Sequence, residues 1–366
     1  MNVKVPGLIK SLNCLQLFFK FFLFLLSAYF FVFAGALTTE AFAEAIRSDS
    51  ALLNEPRFRA PTGWQWGYLT NQDGVRLRFG YAHASKPRAV IVFVPGFTGC
   101  AEEFFETFRD FLKHGYDIFE IDWRGNGGSE RYFRNNHYKI HSLGVERDDR
   151  DLYQFISLVS QKKMGLPIFL IGHSYGGLVA LMFLHDHPGL VERAVLSSPA
   201  FSFPKIPLWL VHPVAELICG LGFANDYAID QADYPHLEPK LLNAKMHTHD
   251  PERLRLPDAL FHTHPELRVG GATWGFIDKF TGAVLQVTAL QYLASIKTPI
   301  LICSGTDDRI CYHEPHVLVA RQLPSARLLT IYGGRHELMR EDNDRRNLWF
   351  KHVFAFLEEK KSQVRE

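Results

Sequence analysis

One serine of the sequence has the neighbours that a catalytic nucleophile needs. The stretch "GHSYG" (172–176) places Ser174 between Gly172 and Gly176, after an apolar run and before an apolar helical pattern. A serine at such a strand-to-helix turn presents its hydroxyl from a strained backbone, and the helix start offers N–H groups to a developing oxyanion. The glycines suit the turn because side chains there would collide with neighbouring backbone. Alone, the pattern also fits an ordinary glycine-rich turn.

A serine hydroxyl needs a base that takes its proton and an acid that orients the base. Two later segments, "GTDDRIC" (305–311) and "GGRHELMRE" (333–341), each follow an apolar run. The chain order serine, acid, histidine is one of the orders in which such triads occur. His336 is therefore the candidate base. Asp308 is the candidate acid and Asp307 its rival, and spacing alone does not decide between them.

The elements that must position these residues alternate between short apolar runs and helical patterns. A hairpin is predicted over 66–83, around an Asp-Gly turn. Helices are predicted over 146–162, 175–187 and near the end of the chain. The runs that predict buried strands are 89–94, 116–123, 167–172, 193–198, 299–305 and 326–333. Buried strands separated by helices predict an α/β fold, with a mostly parallel sheet and helices on both faces.

This alternation stops between residues 200 and 296. The segment is rich in Pro and His and shows no clear strand, so it predicts a helical cap inserted into a core of 44–199 and 297–366. Its stretch 207–223 is apolar, with Glu216 as the only full charge. These apolar side chains either pack the cap on the core or line an entrance and rest on a membrane surface.

The first 43 residues have a composition of their own. Three lysines precede the uncharged run 21–33, and small residues in A-x-A patterns follow, which is typical of a secretory signal peptide. An uncleaved membrane anchor is the alternative, because 15–37 is interrupted only by Lys20 and approaches the length that spans a bilayer. Both alternatives place the rest of the chain outside the cytoplasm, as a periplasmic, extracellular or membrane-anchored domain.

Charge and residue spacing give no indication of a nucleic-acid partner, a metal site or a disulfide. The 366-residue chain carries a formal net charge of +1 and no basic stripe, so no nucleic acid is expected. Two H-x-H pairs, His247 with His249 and His262 with His264, lack a carboxylate or cysteine that completes a ligand set, and no metal or other cofactor is predicted. Spacing assigns no disulfide to the four cysteines beyond the N-terminal segment, which are Cys100, Cys219, Cys303 and Cys311.

Several motifs together resemble a known family. They are "PGFTGCAEEF" (95–104), "IDWRGNGGSER" (121–131), "GHSYGG" (172–177), "THDPERLR" (248–255), "TWGF" (273–276), "GTDDRIC" (305–311) and "GGRHELMRED" (333–342). In this order the set is similar to the α/β-hydrolase branch of monoacylglycerol lipases and bacterial lysophospholipases. The resemblance implies an α/β-hydrolase fold with a helical cap. Residue by residue, it puts the family's nucleophile on Ser174, its base on His336 and its acid on Asp308.

The resemblance also implies an oxyanion hole. The family's loop usually reads His-Gly, whereas this chain has Pro95 before Gly96. The backbone N–H groups of Phe97 and Tyr175 are the implied donors.

In the motif 121–131, Asp122 and Arg124 are expected to brace the loop by an ion pair with each other.

Together these features predict an exported serine hydrolase that forms an acyl-enzyme on Ser174. Its expected substrates are carboxylic esters of lipids, namely lysophospholipids or monoacylglycerols, as the resemblance implies. One alternative is an aminopeptidase of the same fold, whose cap carboxylates would face a free amine. Another is a non-catalytic, membrane-associated lipid-binding protein, which would have no use for a complete triad.

Overall fold

The computed structural model describes residues 48–163, 165–202, 206–233 and 246–359. The predicted signal peptide or anchor, 1–43, lies outside these residues. Within them, no helix combines the length and apolar character needed to cross a bilayer. The cysteines of this part of the chain are free thiols.

A twisted sheet of eight strands organises the described residues, in the spatial order β1-β2-β4-β3-β5-β6-β7-β8. The strands are β1 (Gln65–Thr70), β2 (Arg76–Ala82), β3 (Ala89–Val94), β4 (Tyr116–Ile121), β5 (Ile168–His173), β6 (Arg193–Ser197), β7 (Ile300–Gly305) and β8 (Ala326–Ile331). The β1–β2 hairpin is antiparallel, and β2 also pairs antiparallel with β4. From β4 to β8 every pairing is parallel. The predicted mostly parallel α/β sheet is confirmed.

Helices either cover the two faces of this sheet or belong to the inserted cap. They are α1 (Phe105–Lys113), α2 (Val145–Lys162), α3 (Tyr175–Asp186), α4 (Leu208–Ile218), α5 (Pro251–Thr263), α6 (Trp274–Val287), α7 (Leu290–Ala294), α8 (His313–Gln322) and α9 (Asn343–Leu357). One apolar core joins α2, α3 and α6 to the sheet, and a second joins α1 and α9 to its other face. Strands β3 to β7 are buried along their whole length because both faces are covered. This explains why they read as continuous apolar runs.

The cap predicted over 200–296 falls between β6 and β7, and its described part contains α4 to α7. Helix α4 packs against α6, which in turn contacts α3 of the core. Local sequence fixes two helix starts: Asp250 caps α5 by accepting hydrogen bonds from two backbone N–H groups, and Thr273 caps α6 through the N–H of Phe276. The exact limits of the cap stay a prediction.

The expected ion pair between Asp122 and Arg124 is wrong. Asp122 accepts a 2.6 Å hydrogen bond from Nε of Arg78, on β2, whereas Nε of Arg124 donates to Asp151, on α2, at 2.7 Å. Both residues do brace the segment after β4. They use different partners because Asp122 faces the turn before α1 and Arg124 faces α2.

Candidate active site

The turn at Ser174 joins β5 directly to α3. Its backbone has φ 51° and ψ −116°, a strained conformation for a residue with a side chain. The Ser174 N–H donates to the carbonyl of Ser197 at 3.0 Å, and its carbonyl accepts from the N–H of Ala200 at 2.9 Å. Both backbone groups are thus fastened to the chain at and after the end of β6, which holds the strained turn in place.

Both flanking glycines are required by space. A Cβ on Gly172 would lie 2.5 Å from the carbonyl oxygen of Gly176. A Cβ on Gly176 would lie 2.4 Å from the carbonyl oxygen of Val94, at the end of β3. These atoms belong to backbone that cannot move aside, so only glycine allows α3 to begin so close to β3 and β5.

The candidate acid and base are hydrogen-bonded to each other. Nδ1 of His336 lies 2.9 Å from Oδ2 of Asp308, while Oδ1 accepts from the N–H groups of Ile310 and Cys311 at 2.8 and 2.9 Å. Burial alone would raise the pKa of Asp308, but the pairing with His336 and the two N–H groups outweigh it and lower this pKa. An ionised Asp308 keeps the proton on Nδ1 of His336, so Nε2 is free to accept one.

The geometry separates the two neighbouring aspartates. Asp307 is exposed, and its carboxylate accepts only from the Thr306 hydroxyl among the described residues, at 3.4 Å. Asp308 is buried at 3% exposure and binds His336. The structure therefore brings Asp308, and not Asp307, to the candidate base.

Ser174 lies beside this pair. Its hydroxyl lies close to the thiol of Cys311, whose own N–H binds Asp308. The ring of His173, the residue before the nucleophile, lies 5.0 Å from the ring of His336, centroid to centroid. Within the described hydrogen bonds none joins the Ser174 hydroxyl to His336, and such bonds in unliganded hydrolases often form only when substrate is bound.

The two implied oxyanion donors lie at the ends of neighbouring strands. Tyr175 is the first residue of α3, so its N–H has no acceptor within the helix. Phe97 belongs to the loop after β3, where Nε1 of Trp123 donates to the Pro95 carbonyl at 2.8 Å and holds the loop. The rings of Phe97 and Tyr175 both contact Phe276 of the cap, at 4.8 and 5.6 Å between centroids. Their role as donors stays a prediction.

Two further residues of the site were missed by the sequence reasoning, His173 and Glu337. Nε2 of His173 lies 3.2 Å from Oε2 of Glu337, and Nδ1 lies 3.2 Å from the Ser197 carbonyl. Burial alone would lower the pKa of His173, but the charge and hydrogen bond of Glu337 raise it. The pKa of Glu337 is held well below its usual range, because His173 and Arg340 outweigh its burial. The sequence held one signal that could have found them: His173 directly precedes the candidate nucleophile Ser174, and Glu337 directly follows the candidate base His336.

The H-x-H pairs do not converge on a common point. Each imidazole lies near a different carboxylate: His247 near Glu337 (which also contacts His173), His249 near Glu341, His262 near Asp49, and His264 near Glu266. Two groups of side chains have ligand atoms near enough for a metal ion, namely His173 with His336 and Glu337, and His249 with Glu341 and Asp342. In the first group the imidazoles already bind carboxylates of the site. The expected absence of a metal stays a prediction.

A mostly parallel sheet that presents a serine on a turn between strand and helix is the architecture of an α/β-hydrolase. The chain belongs to the family described as "Serine aminopeptidase, S33", whose model matches residues 85–343. It is 26% identical over 303 residues to the probable lysophospholipase L2 of Haemophilus influenzae, covering 79% of this chain and 91% of that protein.

The chain is also 23% identical over 271 residues to the monoacylglycerol lipase of Mycolicibacterium smegmatis, covering 73% of this chain and 88% of that protein. Among solved structures, a thermostable carboxyl esterase from Bacillus coagulans in complex with glycerol superposes with a TM-score of 0.68 at 18% identity. That match covers 81% of this chain and 98% of the esterase. The resemblance found in the sequence is confirmed.

Replacing the acid should distinguish the two aspartates. We expect Asp308→Asn to lower kcat on an ester substrate by about 10⁴-fold, because the amide stabilises the wrong tautomer of His336. The matched variant Asp307→Asn should keep kcat within about twofold, since the Asp307 carboxylate is exposed and does not bind His336. Steady-state kinetics of both variants decide the assignment, and a large loss in Asp307→Asn alone would reverse it.

Proposed function

We propose that this protein is a serine hydrolase that cleaves carboxylic esters of lipids through an acyl-enzyme on Ser174. The observation that carries the proposal is the buried His336–Asp308 hydrogen bond beside a serine held on a strained elbow. A lysophospholipase and a monoacylglycerol lipase among the relatives support lipid esters as the substrate class.

The proposed reaction has two halves. In the first, the Ser174 oxygen attacks the ester carbonyl while Nε2 of His336 takes its proton, and the N–H groups of Phe97 and Tyr175 stabilise the oxyanion. The C–O bond to the alcohol then breaks, and His336 returns the proton to the leaving alcohol. In the second half, His336 deprotonates a water molecule that attacks the acyl-enzyme, which releases the fatty acid and restores the Ser174 hydroxyl.

The surroundings of the elbow favour an acyl chain over a charged peptide. Phe97 and Tyr175 meet the aromatic face of α6 formed by Phe276 and Phe280. An aminopeptidase would instead need carboxylates beside the nucleophile to bind a free amine. Among the cap carboxylates Asp233 accepts hydrogen bonds from Asn136 and Tyr227, while Glu216 and Asp226 lie exposed on the surface.

A fluorophosphonate probe tests the nucleophile directly. We expect the probe to label the purified protein and Ser174→Ala to abolish labelling, because only an activated serine attacks the phosphorus. Ser304→Ala is the matched control: Ser304 is also a buried serine at a strand end and also bonds to histidines, His313 and His316. Labelling that persists in Ser174→Ala and disappears in Ser304→Ala would show that Ser304, and not Ser174, is the nucleophile.

The same preparation can then be given lysophospholipids, monoacylglycerols, short-chain esters and aminoacyl amides. We expect kcat/KM to be highest for the long-chain lipid esters. Faster turnover of the amides would favour the aminopeptidase, and a protein that reacts with neither the probe nor any ester would favour a non-catalytic lipid-binding role.

We propose further that the outer face of α4 rests on the membrane that holds these lipids. Ala215 is buried beneath the helix, whereas the opposite side carries large apolar residues, of which Trp209 is the most exposed at 73%. This cap patch consists of Ile206, Trp209, Leu210, Val214, Leu217, Leu221 and Phe223. An exposed apolar surface of this kind, with a tryptophan in it, suits the interface of a lipid layer.

Polar substitutions in the cap patch should separate membrane-bound from dissolved substrate. We expect Trp209→Ser combined with Leu217→Ser to lower the rate on lipid vesicles by about tenfold, because less apolar surface enters the bilayer. The rate on a water-soluble short-chain ester should stay unchanged. Leu318→Ser, which alters an equally apolar and exposed residue on α8 of the core, is the matched control. Equal losses on both substrates would contradict a membrane role.

We propose that the N-terminal segment directs export of the chain, so that the protein is periplasmic, extracellular or membrane-anchored. The lysines, apolar run and A-x-A patterns of 1–43 support this. Intact mass of the protein from cells should correspond to loss of about the first 43 residues if a signal peptide is cleaved. The full mass in a membrane fraction would indicate the anchor, and the full mass in the cytoplasm would contradict export.

A further inference from the structure

A buried contact links the neighbour of the nucleophile to the neighbour of the base. His173 precedes Ser174 at the end of β5, and Glu337 follows His336 in the loop after β8. Their side chains meet at 3.2 Å between Nε2 and Oε2, and both residues are buried. This contact between their immediate neighbours therefore links the chain positions of Ser174 and His336.

The neighbours of the His173 ring favour a positive charge on it. Nδ1 of His173 faces the carbonyl oxygen of Ser197, and Nε2 faces the carboxylate of Glu337. A protonated imidazole is the form that both neighbours, a carbonyl oxygen and a carboxylate, stabilise. In that form the contact is a buried ion pair. The raised pKa of His173 and the lowered pKa of Glu337 agree with this assignment.

The pair lies among other charged and titratable groups. Those that face it are His336, His247, Arg340, Glu103 and Cys311. Beyond its partner Asp308, the base also has this pair nearby, since the ring nitrogens of His173 and His336 and an oxygen of Glu337 lie within 4.8 Å of one another. His336 therefore lies close to both members of the pair.

The imidazolium also supports the oxyanion loop. A Cβ on Gly96 would lie 3.2 Å from Cδ2 of His173 and 3.0 Å from Cβ of Ser174, so the loop rests directly on both residues. His173 is thus in contact with the nucleophile's turn, the loop that carries Phe97 and, through Glu337, the loop that carries His336. A displacement of its ring would move all three.

We propose that the His173–Glu337 ion pair is a positioning element of the catalytic site, which sets the spacing of Ser174 and His336 and adds no net charge beside the base. This role rests on the proposed serine hydrolase function. Neither residue touches the reacting atoms, so both act through their neighbours.

Removing one charge at a time tests the proposal through the pH dependence of kcat/KM on a soluble ester. In His173→Gln the charge of Glu337 is no longer offset by an imidazolium and stabilises a protonated base, so the acid limb of the profile should move up by about one pH unit. In Glu337→Gln the amide keeps the shape of the carboxylate but removes its charge, and the acid limb should move the other way. In both variants we expect kcat to fall by about tenfold with KM nearly unchanged, because positioning is lost rather than binding.

The matched control is His249→Gln. His249 and Glu341 form another histidine–carboxylate pair, at 2.9 Å, and Glu341 lies four residues after Glu337 in the chain. This variant should keep the wild-type kcat and acid limb. If His173→Gln does not fold, the comparison of Glu337→Gln with His249→Gln still decides, because the amide is isosteric.

Three outcomes would overturn the role of the pair: an unchanged acid limb in both variants, shifts of both in the same direction, or an equal effect in His249→Gln. Failure of the proposed function looks different. A wild-type protein that neither reacts with a fluorophosphonate nor hydrolyses any ester contradicts the function and this role together. An active wild type whose His173 and Glu337 variants keep its profile contradicts only the role of the pair.

Discussion

The close approach of backbone at the turn of Ser174, between β5 and α3, is the constraint on which the rest of this structure depends. Helix α3 begins so near to β3 and β5 that Gly172 and Gly176 have no room for a Cβ. This approach forces Ser174 into its strained conformation and leaves the first N–H of the helix without an internal acceptor. The strand order follows the same need, because β5 must lie between β3, which leads into the loop of Phe97, and β6, whose end fastens the turn of Ser174.

Much of the framework could be predicted from the sequence because its physical causes are local. The run 89–94 forms β3 with the predicted bounds, and α2 begins within one residue of the expected start. Strands covered on both faces are apolar throughout, and an amphipathic helix repeats every 3.6 residues, so both leave a clear pattern. Spacing could not choose between Asp307 and Asp308. That choice depends on which side chain turns inward after β7, and it came from the family resemblance.

The sequence could not predict which side chains pair with each other, for a different reason. Asp122 binds Arg78, which lies 44 residues away in the chain, while the expected partner Arg124 turns to the other face of the sheet. Pairing of this kind is decided by strand order and by the face from which each side chain leaves, and neither is written in the local pattern. The same holds for His173 and Glu337, whose contact exists only because the ends of β5 and β8 open onto one edge of the sheet.

The place where the cap leaves and rejoins the core has an evolutionary consequence. Strands β6 and β7 are parallel neighbours, with Ala194 opposite Ile300, so the excursion leaves the sheet at the end of β6 and returns at the start of β7, on the opposite edge. The roots of the insertion are held by main-chain hydrogen bonds whatever its length or composition. Natural variation can therefore enlarge, shorten or rebuild this part of the chain while the hydrolytic machinery keeps its dimensions. New substrates can be reached by exchanging one module, without renewed selection on the chemistry.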